Sequence, residues 1–256
     1  MSSKFLMDKQ KILDLFTKMN EMLRIDGKSL EIYVSGGATM CLYLGTREAT
    51  HDIDAGTVGG DGNTTAVETL NFYALKMSEL FNLPKSWLNT GGNMHITEPM
   101  KQDAIRAFTL DSLVVNFLNW QAMLVLKIGA FREQPDITDA VAIIRKYEVR
   151  DADQIYEWME KYRKGWMHIG TRYYIELMLK HAWETEETPY IKLRTLLDTY
   201  GYRDKTVAYY AEQIVGERLF YQTEDDWFGS AIVAFDEWKK LEKGLSPSNI
   251  FNKPKE

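Results

Sequence analysis

The segment from Val34 to Asp54, VSGGATMCLYLGTREATHDID, constrains this chain more than any other. It reads as the end of a strand, a Gly-Gly turn, a short apolar helical run, a polar loop and then Asp52-Ile53-Asp54. Side chains alternate along an extended segment, so Asp52 and Asp54 share one face while Ile53 points into the core. Two carboxylates side by side on a strand repel each other. A hard divalent ion with oxygen ligands, Mg²⁺ or Mn²⁺, relieves that repulsion. Upstream, Gly36-Gly37 allows the backbone to approach a ligand closely, and the helix start after it offers N–H groups to phosphate oxygens. A phosphate cradle followed by a metal-binding carboxylate pair suits phosphoryl or nucleotidyl transfer.

Composition narrows the setting. At 256 residues the chain is long enough for one large core or two smaller lobes. Hydrophobic residues make up 45% and charged residues 27%, the balance of an ordinary globular protein. No apolar run is long enough to span a bilayer, and MSSKFLMDKQ lacks the hydrophobic segment of a signal peptide, so a cytoplasmic protein without a membrane partner is expected. The single cysteine, Cys41, rules out an internal disulfide and reads as core filler in the TMCLYL run. A formal net charge of −6 argues against a broad nucleic-acid-coating surface, while leaving room for a small basic cleft that holds one RNA end.

Along the chain the texture changes near residue 120. Before it, apolar spacing predicts a helix over 4–25, a strand over 30–35, a short helix over 38–44, the acidic strand over 52–58, a Gly-rich loop AGTVGGDGNTT, a helix over about 65–81 and a strand SLVVNF over 112–117. This strand–helix alternation indicates a core of modest size with sheet and helices. After residue 120 the pattern is helical, with helices expected over 151–162, 168–184, 189–200, 203–220 and 226–242. Tyr173, Tyr174, Leu177 and Met178 form a stripe read as bundle core rather than a base-stacking platform. The tail SPSNIFNKPKE has no period and is read as flexible. The expected domains are 1–120, 121–245 and a tail, 246–256.

The Gly36-Gly37 turn followed by Asp52-x-Asp54 resembles the signature of the nucleotidyltransferase superfamily, the polymerase-beta-like fold. With Arg47 and Thr50 just before the acidic pair, the sequence looks most like the bacterial toxin-type nucleotidyltransferases. LPKSWLN at 83–89, MLVLKIGAFR at 123–132 and PDITD at 135–139 extend the resemblance over roughly the first 150 residues. It implies an α+β fold, a small mixed-sheet nucleotidyltransferase core followed by a C-terminal helical bundle. It further implies Mg²⁺ (or Mn²⁺) on Asp52 and Asp54, an NTP substrate, and NMP transfer to an acceptor such as a tRNA-like RNA 3′ end or a protein hydroxyl. A toxin of this type would have an antitoxin partner. Gly36, Gly37, Arg47, Thr50 and Asp136 are then nucleotide-binding; Asp52, Asp54, Lys127 and Asp139 are catalytic. One departure stands out: the strand where the polymerase-like pattern places a third acid carries Asn116, with Asp111 the nearest carboxylate before it. The competing class is a nucleotidyltransferase-fold module that binds a nucleotide or a protein without catalysis.

Several of these residues have readings independent of the resemblance. Lys127 lies among Met123, Leu124, Val125, Leu126 and Ile128, so its ammonium must either snorkel to water or find anions. Those anions are a bound triphosphate or Asp136. Asp136 and Asp139 share a helix face, and as residues of a first turn they also suit capping. Arg47 either grips a γ-phosphate or pins its loop through a carboxylate. Thr50 is expected to fix a backbone turn, His51 to lie on the surface beside the site, and Trp87 to act as a structural wedge.

Overall fold

The computed structural model describes residues 5–58, 64–130, 135–165, 169–183, 189–199, 201, 207–216 and 224–241. It is an α+β protein built on a mixed five-stranded sheet with many helices. The chain opens with β1 (Met7–Asp8) and α1 (Lys9–Ile25). The expected helix therefore starts later than residue 4, because Asp8 accepts from the Lys11 N–H and caps the helix there. Next come β2 (Leu30–Ser35), the short α2 (Gly36–Thr39) and a π-helical turn over Met40–Leu44. β3 (Ala49–Thr50) pairs with β1, and β4 (Ile53–Thr57) and α3 (Thr64–Leu80) follow. β5 (Leu88–Asn89), a 3₁₀ turn over Gly91–His95, α4 (Glu98–Gln102), β6 (Ile105–Thr109) and β7 (Leu113–Phe117) complete the sheet region.

The sheet order is β5-β4-β2-β7-β6. β2 runs antiparallel to β4 with Ser35 opposite Asp54, and parallel to β7 with Tyr33 opposite Asn116. Leu30, Ile32, Val34, Ile53, Ala55, Leu113 and Val115 turn one face into the core, where Ile12, Phe16, Met19 and Leu23 of α1 and Leu70, Ala74 and Met77 of α3 cover it. Cross-strand partners point to one side of a sheet, so Glu31, Tyr33, Ser35, Asp54 and Asn116 share the other face. Trp87 is fully buried and donates through Nε1 to the Ala74 carbonyl at 2.9 Å, a wedge between β5 and α3. Cys41 is buried and burial pushes its thiol pKa up.

Helices α5 (Trp120–Ala130), α6 (Asp136–Lys146) and α7 (Ala152–Tyr162) follow, then α8 (Ile169–Trp183), α9 (Pro189–Thr199), α10 (Val207–Val215) and α11 (Glu224–Leu241). Two compact units emerge: Met1–Glu148 with Asp153–Trp166, and Val149–Ala152 with Met167–Glu256. The change of texture near residue 120 is thus not where the units divide. Lys127 joins α5 to Asp136 and Asp139 of α6, Arg47 of the loop before β3 ties Asp139 to the sheet region, and the first unit retains these helices. In the second unit, Leu193, Leu197, Val207, Tyr210, Trp227, Phe228 and Phe235 of α9, α10 and α11 form a separate core. The expected tail, 246–256, lies outside the described residues, as do 59–63 of the Gly-rich loop. Among the described residues no helix is long and apolar enough to cross a membrane.

Candidate active site

The site grows from the end of β2. Gly36 has φ +63°, and a Cβ on it would stand 2.2 Å from Asp54 Oδ2. Any side chain there would be both strained and in collision, so glycine is required for the Asp54 carboxylate to lie against the turn. Gly37 is equally confined. A Cβ on it would meet Thr50 Oγ1 at 2.1 Å and Arg47 Nη1 at 3.2 Å. The Gly-Gly pair therefore brings the loop 47–50 and the strand carboxylate onto one turn. Thr50 Oγ1 donates to the Asp52 carbonyl at 3.1 Å and fixes the entry into β4. Asp52 is half-buried and stands one residue before that strand.

A second group of charges sits where α5 and α6 meet. The Lys127 ammonium is 2.8 Å from Asp136 Oδ1 and 2.7 Å from Asp139 Oδ2. Arg47 grips Asp139 with both Nε and Nη2, each at 2.7 Å. Lys127, Asp136 and Asp139 are all buried. Two cations and two carboxylates compensate one another, which is what makes their burial tolerable. Lys127 has thus found anions rather than water, as its apolar neighbours require. Asp136 is engaged with Lys127, while Pro135 occupies the N-cap of α6 without a side-chain cap. Arg47 pins its loop through a carboxylate 92 residues away in sequence.

Both groups open on one cavity of about 480 Å³, within the range of small-molecule sites. Ser35, Gly36, Asp54, Asn89, Lys127 and Asp136 contribute to its wall, and so do His95, Gly129 and Arg163. Asp52 does not line it. Asn89 Nδ2 donates to Asp54 Oδ1 at 3.3 Å while Asn89 Oδ1 accepts from the Gly91 N–H at 2.8 Å, so the 3₁₀ turn orients the carboxylate. Arg163 is buried and its Nη2 donates to His95 Nδ1 at 3.2 Å. Burial lowers its pKa below the ordinary arginine value.

Asn116 shares the sheet face of Asp54 but is occupied, donating to Glu31 Oε1 at 2.9 Å and to the Ile32 carbonyl at 3.3 Å. Asp111 precedes β7 at the end of the sheet where Leu113 pairs with Leu30, far along β2 from Gly36. Neither supplies a third acid beside Asp54. His51 is exposed and contacts the Phe5 carbonyl through Nδ1 at 2.6 Å.

Among the described residues no group of three or more His, Cys, Asp or Glu is arranged to hold a metal. The donors still fit Mg²⁺, which is commonly held by one or two carboxylates together with substrate phosphates and waters. Asp54 in the cavity, with Asp52 two residues before it, supplies hard oxygen donors of that kind, whereas Asp136 and Asp139 are committed to Lys127 and Arg47. Arg163, His95 and the Asn89–Asp54 contact belong to no pattern in the sequence. Comparison with known proteins finds no match among family models, curated proteins or solved structures.

Proposed function

We propose that the protein is a metal-dependent nucleotidyltransferase that moves an NMP from an NTP to an acceptor hydroxyl, on an RNA 3′ end or a protein. A toxin paired with an antitoxin is the setting that the sequence resemblance favours. The observation that carries the reading is the Asp54 carboxylate lying against a side-chain-free Gly36 turn, in a cavity it shares with Lys127.

In this reading the Gly36–Gly37 turn receives phosphate oxygens on backbone N–H groups. Asp54, the member of the Asp52–Asp54 pair that lines the cavity, would hold Mg²⁺, which when bound supplies charge stabilisation to the transferring phosphoryl group. Asn89 keeps the Asp54 carboxylate oriented by donating to Oδ1. An ammonium has three donors, and Lys127 commits two to Asp136 and Asp139. Its third is left for an oxygen of the leaving pyrophosphate, the group on which negative charge grows. The acceptor oxygen bonds to the α-phosphorus, the bond to the β-phosphate bridging oxygen breaks, and the acceptor proton passes to water. Asp139 acts through others here: it positions Arg47 and Lys127.

A second reading, nucleotide binding without transfer, draws on the commitment of Asp136 and Asp139 to cations, which leaves Asp54 beside the Gly36 turn without a third acid. Incubation with each α-³²P-labelled NTP, Mg²⁺ or Mn²⁺ and total RNA or cell protein decides between them on a gel. Label that enters an RNA or protein band, sensitive to ribonuclease or protease, supports transfer. An NTP-dependent rise in melting temperature with no labelled band supports the binding module.

A further inference from the structure

Two bonds tie the segment Gly91–Thr97 to the end of α7. Thr97 Oγ1 donates to the Tyr162 carbonyl at 2.8 Å, and Arg163 Nη2 donates to His95 Nδ1 at 3.2 Å. Arg163 in turn lies against α5, where a Cβ on Gly129 would stand 2.7 Å from its Nη1. The His95 ring is thereby held near the last turn of α5, in the cavity wall.

The bond to Arg163 also fixes which ring nitrogen carries the proton. A guanidinium has donors only, so Nδ1 accepts and the hydrogen resides on Nε2. Nε2 has no partner among the described residues, and His95 is exposed. Toward a bound molecule His95 offers a donor and not an acceptor. Beside it α5 supplies apolar surface. Met123, Leu126 and Ala130 fall on one helix face and line the cavity, while Leu124, Val125 and Ile128 are fully buried on the other side. Leu126 is half-buried and Ala130 exposed, which leaves an apolar strip open to a ligand.

Gly36 and Asp54 stand at the other end of the cavity. Asn89 links the two ends, donating to Asp54 and accepting from the Gly91 N–H. From Gly91 the 3₁₀ turn rises about 2 Å per residue, which carries His95 about 8 Å further on. A nucleotide has the matching layout, with phosphates at one end and a flat base with polar edges at the other.

We propose that the His95 end of the cavity is the base subsite of a nucleotide, where the base lies on the Leu126–Ala130 strip and accepts a hydrogen bond from His95 Nε2. A donor at that place favours a base that turns a carbonyl oxygen to it, uracil or guanine, over one that turns an amino group, cytosine or adenine. With an amino base, donor faces donor and the bond is lost. This assignment rests on the nucleotide reading of the cavity, although not on transfer.

The test is calorimetric titration of the full chain with UTP, GTP, CTP, ATP and base-free tripolyphosphate, each with Mg²⁺, beside labelled-NTP transfer. UTP and GTP should bind about tenfold more tightly than CTP and ATP, the scale of one hydrogen bond. His95→Phe keeps a ring and removes the donor. It should bring the four affinities to within about twofold of one another and leave tripolyphosphate binding unchanged. Ala130→Leu crowds the strip and should weaken all four NTPs at least about tenfold while sparing tripolyphosphate. A His95 that only braces Arg163 would shift every ligand alike. Equal wild-type affinity for the four NTPs, a preference for CTP or ATP, or a preference that survives His95→Phe overturns the proposal. If a variant does not fold, the wild-type comparison decides alone. Binding selective for UTP and GTP without NMP transfer keeps the subsite and removes the transferase reading. Transfer from all four NTPs alike, with equal affinities, does the reverse.

Discussion

Two walls of one cavity treat charge in opposite ways. Where α5 meets α6, Lys127, Arg47, Asp136 and Asp139 form a set in which each carboxylate is met by a cation at under 3 Å. Where β4 meets the Gly36 turn, the Asp54 carboxylate has a glycine beneath it and an amide, Asn89, as its orienting donor. The first arrangement holds the fold together: it makes burial of Lys127, Asp136 and Asp139 tolerable and fastens the loop at Arg47 to a helix far away in sequence. The second keeps a carboxylate in a cavity beside a turn that admits no side chain, which suits a metal and a phosphate. The difference shows that a charged residue in a cavity wall is not functional by position alone. What matters is its setting, a helix junction of paired charges in one wall and a side-chain-free turn in the other.

That contrast is open to attack by mutation, and the largest effect belongs to the ion-pair set. Asp139→Ala leaves Arg47 and Lys127 without their shared anion and should cost about 3–5 kcal/mol, measured by urea unfolding. A loss below about 1 kcal/mol would show that the cluster is not the fastener described. Gly36→Ala comes next. A positive φ and a collision with the Asp54 carboxylate should together cost about 1–3 kcal/mol, with Mn²⁺ binding measured in parallel to detect the displaced carboxylate.

Asn89→Ala should change stability by less than about 1 kcal/mol while lowering metal affinity or transfer about tenfold, since it removes only the group that orients a ligand. Equal Mn²⁺ affinity in wild type and variant would remove Asn89 from the site. The smallest effect lies at the base of Arg163. Lys161 first, and then Tyr162, hold the Asp103 carboxyl below its ordinary range. A depressed folded-state pKa adds stability above the unfolded carboxylate value of about 4, and that contribution is lost as pH falls through the folded value. The urea midpoint of wild type should therefore exceed that of Asp103→Asn at pH 7, and the gap should close as the pH drops below about 4. A gap that widens on acidification would contradict this sign.

Local physics made part of this legible. Alternation placed Ile53 in the core and Asp54 on the opposite face, and Gly-Gly marked a turn that side chains cannot occupy. The desolvation of Lys127 required anions, and the structure supplies Asp136 as one of the two alternatives and Asp139 as well. Thr50 fixes a backbone turn as its place before the strand suggests. Other features rest on contacts without period or spacing. Arg47 reaches Asp139 across 92 residues, and nothing near Arg47 announces that partner. Arg163 sits just past an amphipathic helix, where a basic residue ordinarily complements the helix dipole. β6 carries Arg106 between Ile105 and Ala107 on a half-exposed strand at the sheet edge, too weak an alternation to stand out. Its relation to β7 also shifts register between Arg106 and Phe108.

The claim that Asp54 serves the transfer itself while Asp139 serves the fold is tested most directly by one paired measurement on Asp54→Asn. Thermal melts and NMP transfer from labelled NTP with Mg²⁺ are recorded on the same preparations of variant and wild type. The substitution keeps shape and leaves the Lys127, Arg47, Asp136 and Asp139 set intact, so the melting temperature should stay within a few degrees, the shift of about 1 kcal/mol in a domain of this size. Transfer should fall at least about a hundredfold, because the metal-held charge stabilisation is lost. A variant that transfers as fast as wild type, or one that unfolds as readily as Asp139→Ala, would contradict the account.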